Sequence, residues 1–209
     1  MTKPHKLKKE NIIKLLKLKK EEIINLDFFL SKVVIFNKHT NLIGKSTLEN
    51  IWDRHILDCL QLSNYISDKK LKIIDLGTGA GLPGIPLSIV GFKNITMVDS
   101  VSKKVNFVKQ VIKELSLSAS IQNKRIENLK IPKQDVIISR ALAPLDKLLT
   151  YALLHSNKNT TSLFLKGRSV NNEIEMAKKK FLFNFSVFKS ASSGDGCILK
   201  IKNIIKKND

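Results

Sequence analysis

Three glycines at every second position, Gly77, Gly79 and Gly81, follow an acid, Asp75, that lies near the end of the apolar run Ile73-Ile74-Asp75-Leu76. Glycines spaced this way let the backbone turn sharply and bring N–H groups close to a ligand. The run before them is short and β-branched, as a buried strand is, and Ile85 to Val90 after them reads as a short helix. Two ligand classes suit such a strand–glycine–helix turn. A dinucleotide site carries G-x-G-x-x-G with pyrophosphate on the helix N-terminus. Gly77 and Gly79 fit that spacing, but its third glycine falls on Leu82. The pattern is instead D-x-G-x-G-x-G, and a carboxylate at Asp75 repels a pyrophosphate while it favours a cationic sulfonium or amino group. About twenty residues further on, Ile95-Thr96-Met97-Val98 ends in Asp99, where a carboxylate at a strand tip can accept hydrogen bonds from ribose hydroxyls.

These residues need elements to hold them. From Asp75 onward the pattern alternates, with strands predicted near 71–76, 94–98, 119–122, 134–139, 160–166, 182–189 and 197–202. Helices are predicted near 84–90, 102–116, 144–155 and 171–180. Alternation of this kind implies right-handed crossovers and a mostly parallel sheet, with the last two strands forming an antiparallel hairpin at one edge. Ahead of it, helical spacing of Ile12, Leu15, Leu16, Ile23, Leu26, Leu30, Val33 and Val34 predicts helix from about Lys6 to Lys38, with a break near Lys19-Lys20. Asn37 to Gly44 reads as a loop and Leu48 to Tyr65 as a further helix. The expected organisation is a helical cap over residues 1–66, part of the same unit as a core over 67–209. Ligands bind at the carboxyl ends of parallel strands, so the segments after them should gather round one pocket. Those segments are Gly77 to Gly81, Asp99, Arg125-Ile126-Glu127, Ser139-Arg140-Ala141 and Lys166-Gly167-Arg168.

Composition narrows the partner. The formal net charge is +19 on 209 residues, a field suited to a polyanion such as RNA, although lysine excess is also a habit of AT-rich genomes. In so lysine-rich a chain the four arginines, Arg54, Arg125, Arg140 and Arg168, mark places where a planar fork is needed for phosphate, carboxylate or a base edge. Cys59 and Cys197 match no metal spacing and no disulfide framework, and neither a signal peptide nor a membrane-length apolar run is evident. The expectation is a cytoplasmic protein with no membrane and no metal.

Glycine loop and distal acid together resemble the cofactor motif of class I methyltransferases that use S-adenosyl-L-methionine. A narrower resemblance runs through His55-Ile56-Leu57-Asp58, Asp75 to Ile85 with its Gly-Leu-Pro-Gly-Ile ending, Asp99-Ser100, Lys103-Lys104-Val105, Ile138-Ser139-Arg140-Ala141 and Leu165-Lys166-Gly167. In this order, over residues 20 to 202, they resemble the ribosomal small-subunit methyltransferase G family, also called glucose-inhibited division protein B. The resemblance implies an α/β class I fold, Rossmann-like, with a mostly parallel seven-stranded sheet and an N-terminal helical cap. It implies methylation of N7 of one guanosine (guanine 527) in the 530 loop of 16S rRNA, on RNA or on the small ribosomal subunit; a monomer is expected because the fold needs no partner to complete a site. Carried onto this chain, the cofactor contacts are Gly77, Gly79, Leu82, Asp99, Ile126, Glu127 and Arg140, with Arg140 facing either the cofactor carboxylate or an RNA phosphate. Arg54, His55, Lys166 and Arg168 are the expected RNA contacts, and no residue is expected as catalytic acid or base, since guanine N7 carries a lone pair and no proton. The family's Gly-Glu-Arg-His before its last strand is Gly194-Asp195-Gly196-Cys197 here, which removes an arginine and a histidine from a substrate-side loop. The competing readings are a class I methyltransferase for another RNA or a protein, and a non-enzymatic RNA or membrane binder.

Overall fold

The computed structural model describes residues 6–40, 42–192 and 194–207. Part of the lysine-rich N-terminal reading, residues 1–5, lies outside them. Strands β1 (Ile73–Leu76), β2 (Ile95–Asp99), β3 (Ala119–Asn123), β4 (Val136–Arg140), β5 (Thr161–Lys166), β6 (Phe181–Lys189) and β7 (Cys197–Lys206) form one sheet in the order β3-β2-β1-β4-β5-β7-β6. The first five are parallel; β7 runs antiparallel to both β5 and β6. The C-terminal hairpin is therefore present, with β7 inserted beside β5 and β6 left at the edge. Strand order reverses between β1 and β4, the position where open parallel sheets bind ligands.

Every residue of β1 is buried because both faces of the sheet are covered. Ile73, Met97, Ile138 and Leu163 point to one side, against the helices α1 (Lys9–Leu16), α2 (Lys20–Asn37), α3 (Gly84–Ile89) and α4 (Ser102–Glu114). Ile74, Val98, Ile137 and Phe164 point to the other, against α5 (Leu145–His155) and α6 (Val170–Lys178). Leu26, Phe29, Leu30 and Val33 of α2 lie on one helical face and share the first cluster with the sheet, so the N-terminal helices and the strands bury one another. The break between α1 and α2 is closed by Lys17 in the left-handed conformation.

The segment expected as one helix over 48–65 is less regular. A 3₁₀ segment, Lys45–Asn50, leads into a π-helical turn, Trp52–Leu57, one α turn, Asp58–Leu60, and a second 3₁₀ segment, Gln61–Tyr65. Such wide turns are uncommon and cluster at functional sites. This one carries Arg54 and His55 and leads directly into Asp58 and Cys59, all of which lie against the end of β4. No helix among the described residues is long and apolar enough to cross a membrane.

Candidate functional site

Gly77, Gly79 and Gly81 all have positive φ, at 66°, 59° and 87°. A Cβ on Gly77 would run into the Leu142 methyls and one on Gly81 into Ile85, whereas one on Gly79 would meet nothing within 4 Å. Packing therefore demands two of the glycines, and the third faces open space. Asp75 is fully buried beneath the turn. Its Oδ2 accepts the Thr78 hydroxyl at 2.5 Å and the Gly84 N–H at 3.0 Å, which pins the start and the end of the loop to one carboxylate. Its Oδ1 is buried with no partner. Burial raises the Asp75 pKa to about 7, against the opposing pull of the two hydrogen bonds.

Asp99 is oriented from both sides. Its Oδ2 accepts the Gly79 N–H at 3.0 Å and its Oδ1 the Val101 N–H at 2.9 Å. Beside it lies a cavity of about 90 Å³ lined by Gly77, Asp99, Ile126, Glu127, Leu142 and Tyr151, among others. The Tyr151 hydroxyl donates to Glu127 Oε1 at 2.9 Å, and Leu142 and Ile126 give it apolar walls. Apolar walls of this kind suit a flat ring, the Asp99 carboxylate beside them suits a diol, and the acid Asp75 lies buried under the turn. The donor set fits an adenosyl compound with a cationic centre.

A larger basin of about 570 Å³ opens beyond Ala141 and is lined by Arg54, Arg140, Lys166, Arg168 and the 194–196 loop. Three of its cations are paired with acids. Arg140 lies 3.4 Å from Asp58 Oδ2, Lys166 2.5 Å from Glu173 Oε2, and Arg168 pairs through Nε with Asp195. Arg140 also donates to His55 Nδ1 at 2.5 Å and to the Arg54 carbonyl at 3.3 Å. An arginine only donates, so His55 Nδ1 must accept, and its Nε2–H faces Thr47 Oγ1 at 2.8 Å. Burial and two neighbouring arginines lower the His55 pKa to about 3, which keeps the ring neutral.

The residues singled out in the sequence thus fall into three groups. Gly77, Asp99, Ile126 and Glu127 surround the small cavity, while Gly79 lines neither cavity and acts on Asp99 through its N–H. Arg54, Arg140, Lys166 and Arg168 line the basin. Leu82 and His55 line neither cavity: Leu82 is buried in the core on the cap side, and His55, 2 % exposed, is enclosed between Thr47 and Arg140. Tyr151, Leu142 and Gln61 have parts here that the sequence did not announce, because each is an ordinary helix or loop residue until the sheet order brings it there.

Residues 22–197 match the sequence profile of rRNA small subunit methyltransferase G. The chain belongs to that family. Ribosomal RNA small subunit methyltransferase G of Rickettsia prowazekii (strain Madrid E) is 37% identical over 191 residues, which span 91% of this chain and 99% of the relative. The protein of the same name from Orientia tsutsugamushi (strain Ikeda) is 41% identical over 167 residues, 80% of this chain and 83% of the relative. Among solved structures, the chain is similar to ribosomal protein L11 methylase from Lactobacillus delbrueckii subsp. bulgaricus, with a TM-score of 0.57 and 20% identity over 73% of this chain and 77% of that one. It is also similar to magnesium protoporphyrin IX methyltransferase from Synechocystis PCC 6803 with bound SAM, with a TM-score of 0.58 and 13% identity over 89% and 98%. At these identities the likeness is one of fold, that of the class I S-adenosylmethionine-dependent methyltransferases.

Proposed function

We propose that this protein transfers the methyl group of S-adenosyl-L-methionine to N7 of guanine 527, in the 530 loop of 16S rRNA, on the small ribosomal subunit. Family membership supports the substrate, and the observation that carries the chemistry is the pairing of two cavities at one end of the sheet. The adenosyl side is the slot between Asp99, Ile126 and Tyr151; the RNA side is the arginine-lined basin. When bound, the cofactor supplies an electrophilic methyl group on a sulfonium.

What the chain supplies is position and electrostatics. Asp99 would hold the ribose and the Ile126–Leu142 slot would hold the base, with open space left beside Gly79. Guanine N7 has an exposed lone pair and no proton to lose, so displacement needs alignment and no general base. His55 is consistent with that absence, since both ring nitrogens are occupied and the ring is neutral. Arg54 and Arg168 are proposed to meet RNA phosphates, with Lys166 and Arg140 steadying the basin wall, and the target guanosine must leave its stack to reach the methyl group. A direct phosphate contact from His55, or a cofactor contact from the Leu82 side chain, is not part of this reading. All these residues come from one chain, and the protein is proposed to work as a monomer in the cytoplasm.

The test is transfer of labelled methyl groups to small subunits prepared from cells lacking this modification, beside subunits that already carry it. Label entering only the former supports the proposal. Label entering both alike, or entering protein, would assign the chain another substrate.

A further inference from the structure

The loop between β6 and β7 leads into the segment, 194–197, in which this chain departs from the Gly-Glu-Arg-His pattern, and its residues Ser192, Gly194, Asp195 and Gly196 form one wall of the basin. It is tied to the N-terminal cap through two residues distant in sequence. Gln61 is 4 % exposed. Its Nε2 donates to Ser190 Oγ at 2.8 Å and to Asp58 Oδ1 at 3.1 Å, and its Oε1 accepts the Ala191 N–H at 2.8 Å. The Ser190 and Ser192 hydroxyls reach the same Asp58 oxygen at 3.3 and 3.2 Å. The other Asp58 oxygen faces Arg140 at 3.4 Å. One carboxylate therefore joins the loop to the arginine at the end of β4, and the far end of the loop carries Asp195, the partner of Arg168.

We propose that Gln61 and Asp58 are positioning residues: they hold the start of the β6–β7 loop, residues 190–192, against the cap and register it with Arg140, so that the basin is shaped for its RNA before the RNA arrives. The inference rests on reading the basin as the RNA side. A merely structural residue at this depth would affect both ligands alike. Gln61 touches the loop and Asp58 but nothing that lines the adenosyl cavity, so its loss should separate the two. A buried polar tether that is cut lets its loop open, and the loss of two or three such hydrogen bonds shifts that opening by about tenfold or more.

The experiment compares wild type with Gln61→Leu, which keeps the volume and removes the hydrogen bonds. Three readouts are taken: amide exchange at Ala191, S-adenosyl-L-methionine affinity by calorimetry, and KM for unmodified small subunits. The expected result is exchange at Ala191 faster by about tenfold, KM for subunits raised by about tenfold, and cofactor affinity within about twofold of wild type. Ser190→Ala cuts the same tether from the loop side and should give the same split, which covers the case in which Gln61→Leu does not fold. Unchanged exchange at Ala191, or cofactor affinity falling in step with subunit KM, would overturn the proposal. If wild type transfers no methyl group to subunits, the functional reading has failed, while the exchange result still decides whether the tether exists.

Discussion

Asp75→Asn should make the protein more stable at high pH and a poorer cofactor binder, two effects of one missing charge. In the folded protein the Asp75 pKa lies near 7, against 3.8 for an unperturbed aspartate, because the carboxylate is fully buried. A carboxylate raised in this way has the opposite sign to the usual salt-bridged one. Its burden on stability is absent below pH 3.8, grows as pH climbs toward 7, and is complete above that. The full gap is about 4 kcal/mol. Asparagine can still accept from Thr78 and Gly84 through its carbonyl oxygen, but its amide nitrogen then occupies the unpartnered Oδ1 site, which returns about 1–3 kcal/mol. The net gain at pH 8 is therefore about 1–3 kcal/mol, a rise in Tm of about 3–10 °C for a chain of this length. At pH 5 the wild-type carboxyl is already neutral, the gain is lost, and the variant melts at or below wild type. Binding should move the other way. A negative charge beneath the loop that would hold the sulfonium favours the cation, so the variant should bind S-adenosyl-L-methionine more weakly at pH 8, on the order of tenfold for about 1.4 kcal/mol. Wild-type affinity should weaken as pH falls through 7, and comparison with the variant isolates Asp75 from the cofactor's own titration. Thermal melts at pH 5 and 8 with calorimetric titration at each pH decide the matter. A variant less stable than wild type at pH 8, with unchanged affinity, would refute both the raised pKa and the electrostatic role.

Gly79→Ala should cost only about 1–2 kcal/mol of stability from its left-handed φ, yet cofactor-induced stabilisation in a thermal melt should all but disappear, because the new methyl stands in the open space beside Gly79. Gly77→Ala carries the same strain and also displaces Leu142, so it should melt lower than Gly79→Ala when the two are compared without ligand. Arg140→Ala leaves the half-buried Asp58 without its cation and should destabilise by about 1–2 kcal/mol, with a deficit that grows as pH rises, since Asp58 is already pushed up by burial and Arg140 opposes that push. Denaturant melts at pH 5 and 8 measure it, and Arg140→Lys should not restore the fork to His55 and Asp58. Arg168→Ala should weaken subunit binding and reduce the slope of log affinity against log salt by about one, as read from filter binding over a salt series.

The fold could be read from the sequence almost element by element, because each strand is a short apolar run and the sheet is covered on both faces. Ile73-Ile74 and Val136 to Ile138 had no alternative place to go. The β7 strand extends to Lys206, beyond the expected 202, since its second half pairs only with edge strand β6 and alternates with lysines that hide the pattern. The region 48–65 reads as one helix, and its sequence gives no warning of the π turn at Trp52–Leu57, whose His55 and neighbouring Asp58 meet Arg140 of β4. Glycines and acids of the cofactor side were legible because their chemistry demands them in a fixed local spacing. The basin was only half legible. Arg54, Arg140, Lys166 and Arg168 stood out in a lysine-rich chain, but Gln61 and Ser190 are 129 positions apart and meet only once β7 has inserted between β5 and β6. Leu82 and His55 show the converse limit: a motif position fixes a residue type without fixing which way its side chain turns.

The central claim is that the two cavities deliver one methyl group to one nitrogen. The most direct test is to incubate the protein with S-adenosyl-L-methionine and small subunits lacking the modification, then to reduce the extracted 16S rRNA and cleave it with aniline, which cuts at N7-methylguanosine. The account predicts a single new cut, in the 530 loop, dependent on cofactor and absent with Gly79→Ala. A cut elsewhere, or methylated RNA that resists cleavage, would contradict it.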